Sequence, residues 1–208
     1  MMQANTTDFA APASDAEIDL LAANLRDRNF EVVIVESAAE VKGAVMQRIP
    51  EGAKVHSGKS KTLEDSGVFK ELMESDRYDF IRRRTMKMDR ATQGDEIRRL
   101  SAAPDVMLGS VHAVTQAGQL VVTSASGSQI GPYASGAGKL ILVVGSQKIV
   151  PDLDTAFRRI EDYVFPWEDA RLREQIGIGT AITRTLIIER DFRPGRTIIV
   201  LVREPIGI

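Results

Sequence analysis

Short apolar runs rich in β-branched residues recur along this chain, and each ends in small or polar residues. Glu31–Val35 (EVVIV), Lys54–His56, 105–109, 119–123, 139–145, 181–188 and 197–202 all follow this pattern. Runs of this length bounded by turn residues predict buried strands. Between them the apolar positions change to helical spacing. Ile18, Leu21, Ala22 and Leu25 predict a helix over 15–28, and Ser14 with Glu17 supplies the capping box that opens it. Ser37 and Glu40 repeat that pattern ahead of a helix closed by Pro50. Thr62 and Asp65 form a cap-like pair for a helix running towards Glu74. Tyr78–Ile81 reads as a strand, followed by a basic loop and a helix through Ile97 and Leu100. A short helix is expected between Val111 and Gln116, and a longer one over 152–163, burying Leu153, Phe157 and Ile160. Asp191–Gly195 (DFRPG) has the turn chemistry to join the last two strands. Strand, cap and helix alternating in this order predict an α/β fold with a mostly parallel open sheet. The expected layout is a flexible tail over 1–13 and a single domain over 14–208.

Composition narrows the chemistry. The 208 residues are 43 % hydrophobic and 27 % charged, with a formal charge of −2 and no cysteine. A chain without cysteine has no disulfide, thiolate nucleophile, zinc–sulfur site or cysteine-ligated iron–sulfur cluster. There is no basic excess to attract nucleic acid. The first residues lack the basic and apolar regions of a signal peptide, and no apolar run approaches the ~18 residues of a membrane span. The expectation is a soluble, cytoplasmic protein with neither a nucleic-acid nor a membrane partner.

Function is expected in Val106–Val150, which holds seven of the sixteen glycines. Buried strands with small polar tips are how an open α/β sheet builds a ligand crevice. Ahead of this segment, Ser57-Gly58-Lys59-Ser60 sits between a strand and a helix. It carries the Gly-Lys-Ser of a phosphate-binding loop, but Ala53 stands where the full motif needs glycine, so the pattern argues against a P-loop NTPase. The weaker expectation is an anion held by backbone N–H groups at a helix start beside Lys59, against a plain polar turn. His56 and His112 are the only histidines, and neither has metal-ligand spacing, so no metal site is expected. His56 reads as structural, whereas His112 is a candidate general base with Glu64 as an acid–base partner.

Ser124, Ser126, Gly127, Ser128 and Gln129 form a hydroxyl- and amide-rich strand exit suited to a small-molecule site. Ser126 lacks the G-x-S-x-G elbow of a hydrolase nucleophile. Gly109 and Ser110 end the strand before His112, and Lys139 and Lys148 are candidates for holding an anion. Neither lysine shows apolar enclosure in the sequence, which argues against covalent catalysis. The run Arg82–Arg90 has nearby acids and reads as a solvated, salt-bridged surface. Phe165-Pro166-Trp167 reads as a packing hinge or interface anchor. The apolar strand Thr197–Val202 is either a covered sheet member or the contact of a homodimer.

Gly109–Thr115, Ala117–Val122, Ala125–Gln129, Ala137–Lys139, Val143–Gly145 and Gln147–Leu153 together resemble the core of the LUD (lactate utilisation) domain family. The resemblance implies a three-layer α/β/α fold similar to the ribose-phosphate isomerase, glucosamine-phosphate deaminase and CoA-transferase group. The family includes lactate utilisation protein C, so the resemblance implies an accessory role in oxidising L-lactate to pyruvate. On that reading the expected ligand is a small anionic metabolite, with any iron–sulfur cluster residing in a partner subunit. Two alternatives stand beside it. One is an isomerase or acyl-transfer enzyme acting on a phosphorylated or CoA-linked molecule through Glu64, His112 and Lys59. The other is a module that only senses such a ligand.

Overall fold

The computed structural model describes residues 8–208. Six parallel strands form the central sheet: β1 (Glu31–Val35), β2 (Lys54–Ser57), β3 (Asp79–Phe80), β4 (Val106–Gly109), β7 (Lys139–Gly145) and β10 (Thr197–Val202). Their order is β1-β10-β7-β4-β2-β3. Leu140, Leu142 and Val144 of β7 face one side of the sheet, and Ile141 and Val143 the other. A strand covered on both faces needs apolar residues at every position, which is why KLILVVG and TIIVLV read as continuous runs. The resulting fold is a three-layer α/β/α arrangement.

One face is covered by α2 (Ala38–Met46), α3 (Lys61–Asp65) and α4 (Val68–Glu74), whose Val41, Val45, Leu63, Val68 and Leu72 join the core there. The other face carries α1 (Asp15–Asp27) through Ile18, Leu21, Ala22 and Leu25. Beside α1 lies a second sheet of β5 (Ala113–Thr115), β6 (Leu120–Ser124), β8 (Ile149–Val150) and β9 (Arg184–Ile188), ordered β8-β5-β6-β9. Its outer side is covered by α7 (Leu153–Arg159) and the π-helical turn Ile160–Val164, which leads into α8 (Phe165–Ile176). Two further helices, α5 (Ile81–Thr85) and α6 (Gly94–Ala102), follow β3.

Several local expectations are corrected. Ala113–Thr115 is a strand, because pairing with Val121 and Leu120 satisfies its backbone, and no helix forms between Val111 and Gln116. The helix after β2 is capped by Ser60, whose Oγ accepts the Leu63 N–H, instead of by the Thr62–Asp65 pair. That helix breaks at Gly67, whose φ of +72° belongs to the left-handed region that glycine enters without steric cost. The arginines at 82–84 lie on α5, not in a loop. The last two strands enter different sheets. Thr197–Val202 is fully buried between β1 and β7, so it is a covered sheet member and no dimer contact. On α7 the inward positions are Ala156 and Arg159, with Ile160 buried at the start of the π-helical turn, while Phe157 is exposed. Of the expected tail, residues 1–7 lie outside the described residues. Phe9 is buried against Tyr163, with ring centroids 6.4 Å apart.

Candidate functional site

The carboxyl ends of β2 and β4 open onto a cavity of about 670 Å³ between the two sheets, with α8 as its outer wall. The crevice lies beyond the carboxyl ends of parallel strands, where open α/β sheets bind ligands. Its lining includes Ser57, Gly58, Lys59, Ser60 and Thr62 after β2, and Ser110 and His112 after β4. Ser124, Ser126, Ser128 and Gln129 come from the exit of β6. Lys148 arrives from the 3-10 turn Ser146–Lys148 that follows β7.

Lys148 is 2 % exposed. Its Nζ donates to Thr62 Oγ1 at 2.8 Å and to Ser110 Oγ at 2.9 Å. Ser110 Oγ in turn donates to the Val143 carbonyl at 2.6 Å. Burial, and then the positive charge of Arg159, push the Lys148 ammonium down to about 7, with Asp65 opposing. The enclosure missing from the sequence pattern is therefore supplied by the fold, as burial among hydroxyls with a guanidinium nearby. Arg159 is fully buried and donates to the carbonyls of Gln147 (3.2 Å), His112 (2.6 Å) and Phe9 (3.4 Å). Its guanidinium also sits 5.3 Å from the Tyr163 ring centroid. No carboxylate forms a salt bridge with either cation among the described residues. Burial holds Arg159 down to about 10, with Tyr163 opposing.

His112 Nδ1 accepts the Thr123 N–H at 3.0 Å, which assigns the ring proton to Nε2. Burial, then Lys148 and Arg159, push its pKa down to about 3. The ring is thus a neutral hydrogen-bond donor at the cavity wall, in place of the expected general base. Tyr133 fixes the neighbouring Ser110 peptide: its hydroxyl accepts the Ser110 N–H at 3.2 Å and donates to the Ser110 carbonyl at 3.4 Å. A methyl on Gly109 would overlap that hydroxyl, so close approach is what requires glycine here.

Three buried polar atoms at the cavity have no hydrogen-bond partner: His56 Nδ1, Ser57 Oγ and Arg82 Nε. Buried polar atoms are nearly always paired, so three at one cavity mark where a ligand or water completes the set. Burial, and then Arg82, push His56 down to about 4, which leaves it neutral. Arg82 is also lowered, first by burial and then by Arg90, with Glu64 opposing, and it donates to the Ser57 carbonyl at 3.1 Å. Around the cavity stand six basic residues, Lys59, Lys61, Arg82, Arg90, Lys148 and Arg171, against the acids Glu64 and Glu168. The field in the crevice favours an anion.

Glu64 lines the cavity from an exposed position. Gly109 and Gly127 lie behind the lining, with the Gly127 N–H donating to Ser124 Oγ at 2.9 Å. Lys139 is misplaced in the sequence reading. It begins β7 beside Val106, roughly 20 Å of strand away from the crevice. Lys59 reaches across to Gln175 Oε1 at 3.0 Å. Because α3 has only five residues, its start is no built anion site, and the positive groups at the cavity are side chains.

Residues 18–202 match the family model of the LUD domain. The chain belongs to the LUD-domain family. No curated protein matches the chain. Among solved structures, a DUF162-family protein from Deinococcus radiodurans is 14 % identical and has a TM-score of 0.51. The alignment covers 92 % of this chain and 99 % of that one, and the likeness is one of fold. In this LUD domain the sequence reading missed Thr62, Arg82, Tyr133 and Arg159. Arg82 was hidden in a basic run whose neighbours, Arg83 and Arg84, do pair with Asp76 and Asp79 at the surface. Phe165 and Trp167, read as a hinge or anchor, lie on the continuous helical wall of the cavity. Among the described residues no cluster of metal-ligating side chains occurs, and no helix is long and apolar enough to cross a membrane.

Proposed function

We propose that this LUD domain is the ligand-holding accessory subunit of an L-lactate-oxidising assembly. The crevice binds the small carboxylate, as substrate or as its 2-oxo product, and a separate iron–sulfur subunit takes the electrons. The observation that carries this reading is the fully buried Arg159 guanidinium near the buried Lys148, neither salt-bridged to a carboxylate among the described residues, beside a cavity rimmed by further basic residues. A buried charge without a counter-charge costs several kcal/mol, and a bound anion at the cavity relieves that cost. His112 Nε2–H and the unpaired Ser57 hydroxyl add donors for oxygens beyond the carboxylate. A chain without cysteine leaves the cluster to a partner.

Thermal denaturation with L-lactate, pyruvate, sugar phosphates and CoA esters tests the ligand. A ligand at a hundredfold its Kd contributes about 2.7 kcal/mol, or roughly 5–10 °C for a chain of this size. The expected result is that shift with L-lactate or pyruvate, reduced to about half in Arg82→Ala at the same ligand concentration, together with recovery of a cysteine-rich iron–sulfur protein on native purification. Stabilisation by none of the carboxylates would overturn the reading.

One observation favours a second reading. A cavity of about 670 Å³ walled by Phe165, Trp167, Leu172 and Ile176 exceeds the needs of a three-carbon acid. It suits an anion with an apolar or extended body, such as a phosphorylated or CoA-linked molecule handled by an isomerase or acyl-transfer enzyme. Stabilisation confined to the phosphates or CoA esters would select that reading.

A further inference from the structure

We infer that Lys148 captures the carbonyl carbon of an anionic 2-oxo compound in the crevice as a covalent imine. The inference rests on the reading of the crevice as an organic-anion site and adds a reaction to it. An amine acts as a nucleophile only through its lone pair, so what surrounds the nitrogen decides the chemistry. Ser110 commits its hydroxyl proton to the Val143 carbonyl at 2.6 Å and thereby meets the Lys148 nitrogen as an acceptor. Thr62 Oγ1 is the second acceptor, and its own hydroxyl points towards Ser110 Oγ at 3.4 Å. A neutral amine spends both N–H groups on these two oxygens. Its lone pair is left for the fourth tetrahedral direction, which has no protein partner among the described residues, and the residue lines the cavity.

The surroundings keep the nitrogen in that form. Arg159 lies fully buried nearby, fixed on three carbonyls, and its charge opposes a second cation. Asp65, the acid that favours protonation, is paired with Lys61 instead. His112 is neutral and its Nδ1 lone pair is committed to the Thr123 N–H, so it offers the lysine neither a negative charge nor an acceptor. These effects together bring Lys148 to about 7, so a large fraction is unprotonated in neutral solution. The other requirement is an electrophile made more reactive. His112 Nε2–H and the Ser57 hydroxyl are the donors available to a carbonyl oxygen at this wall.

The step balances without oxidant or reductant. The nitrogen lone pair forms the N–C bond while the carbonyl π pair passes to oxygen. The C–O bond then breaks, the oxygen leaves as water carrying the two amine protons, and a C=N bond remains. The carboxylate of the compound stays among the basic groups of the cavity.

The test treats the purified full chain with pyruvate and sodium borohydride, whose hydride reduces C=N to a stable secondary amine, followed by intact-mass and peptide mapping. The expected result is a single reduced pyruvyl adduct on Lys148, saturable in pyruvate and suppressed by excess L-lactate, which has no ketone. Lys148→Met should lose the adduct, and because the wild-type map locates it directly, an unfolded variant leaves the test intact. Calorimetric binding of pyruvate is measured in parallel. Binding without an adduct on Lys148, or an adduct spread over the surface lysines, overturns the imine and leaves the anion crevice standing. Neither binding nor adduct overturns both.

Discussion

A buried lysine that has lost its proton leaves a signature in the pH dependence of stability, and Lys148→Met reads it. Unfolded, Lys148 holds its proton to about 10.5; folded, it releases it near 7. Between those values the unfolded state binds more protons, so the wild type gains stability as pH rises. The slope reaches about 1.4 kcal/mol per pH unit, and the whole window corresponds to at most roughly 5 kcal/mol of destabilisation, fully present below pH 7 and gone above 10.5. Methionine has no such proton. It also leaves Thr62 Oγ1 and Ser110 Oγ without their N–H donors, a cost of about 1–3 kcal/mol that does not vary with pH. The diagnostic is therefore the change in the difference between the two proteins, not its sign at one pH. Urea unfolding followed by circular dichroism at fixed ionic strength should show the wild type gaining about 3 kcal/mol on Lys148→Met between pH 7 and 9.5, with equal m values. Arg159 titrates above this range and is common to both proteins. Parallel curves across the range would refute the argument and place a protonated, compensated ammonium at this position.

Three further substitutions test the parts around it. Arg159→Ala removes a fully buried guanidinium from three carbonyls and leaves a void, so urea unfolding should show a loss of at least about 3 kcal/mol. Tyr133→Phe frees the Ser110 peptide, and should cost about 1–2 kcal/mol of stability while weakening pyruvate binding by calorimetry. Arg82→Ala should weaken pyruvate binding about tenfold, equivalent to roughly 1.4 kcal/mol, and flatten its dependence on salt, as loss of a cation facing the ligand requires.

The central sheet was legible because burial on both faces forces continuous apolar runs, and 31–35, 139–145 and 197–202 carry that pattern without ambiguity. Shorter segments were not. Ala113–Thr115 has no strand signal of its own and becomes one only because β6 folds back onto it and Ile149–Val150 pairs on its other side. The polar strand exits were visible as motifs, and the fold brings Ser57–Ser60, Ser110 and Ser124–Gln129 to one cavity. Lys139 and Lys148 look alike in sequence, each at a strand boundary beside small residues. What separates them is direction along one parallel strand: the first begins β7 and the second follows it, so only the second reaches the crevice.

The enclosure of Lys148 comes from positions far apart in the chain: Thr62 at the start of α3, Ser110 after β4 and Arg159 on α7. Arg159 is the informative member. On an amphipathic reading of α7 the inward place belongs to Phe157, and the fold gives it to a guanidinium instead. Burying an arginine on carbonyls and a tyrosine ring, without a salt-bridged carboxylate among the described residues, costs stability that an aliphatic side chain would not. That cost has a chemical consequence, since the fixed charge both draws an anion to the cavity and holds the Lys148 nitrogen ready to react with it.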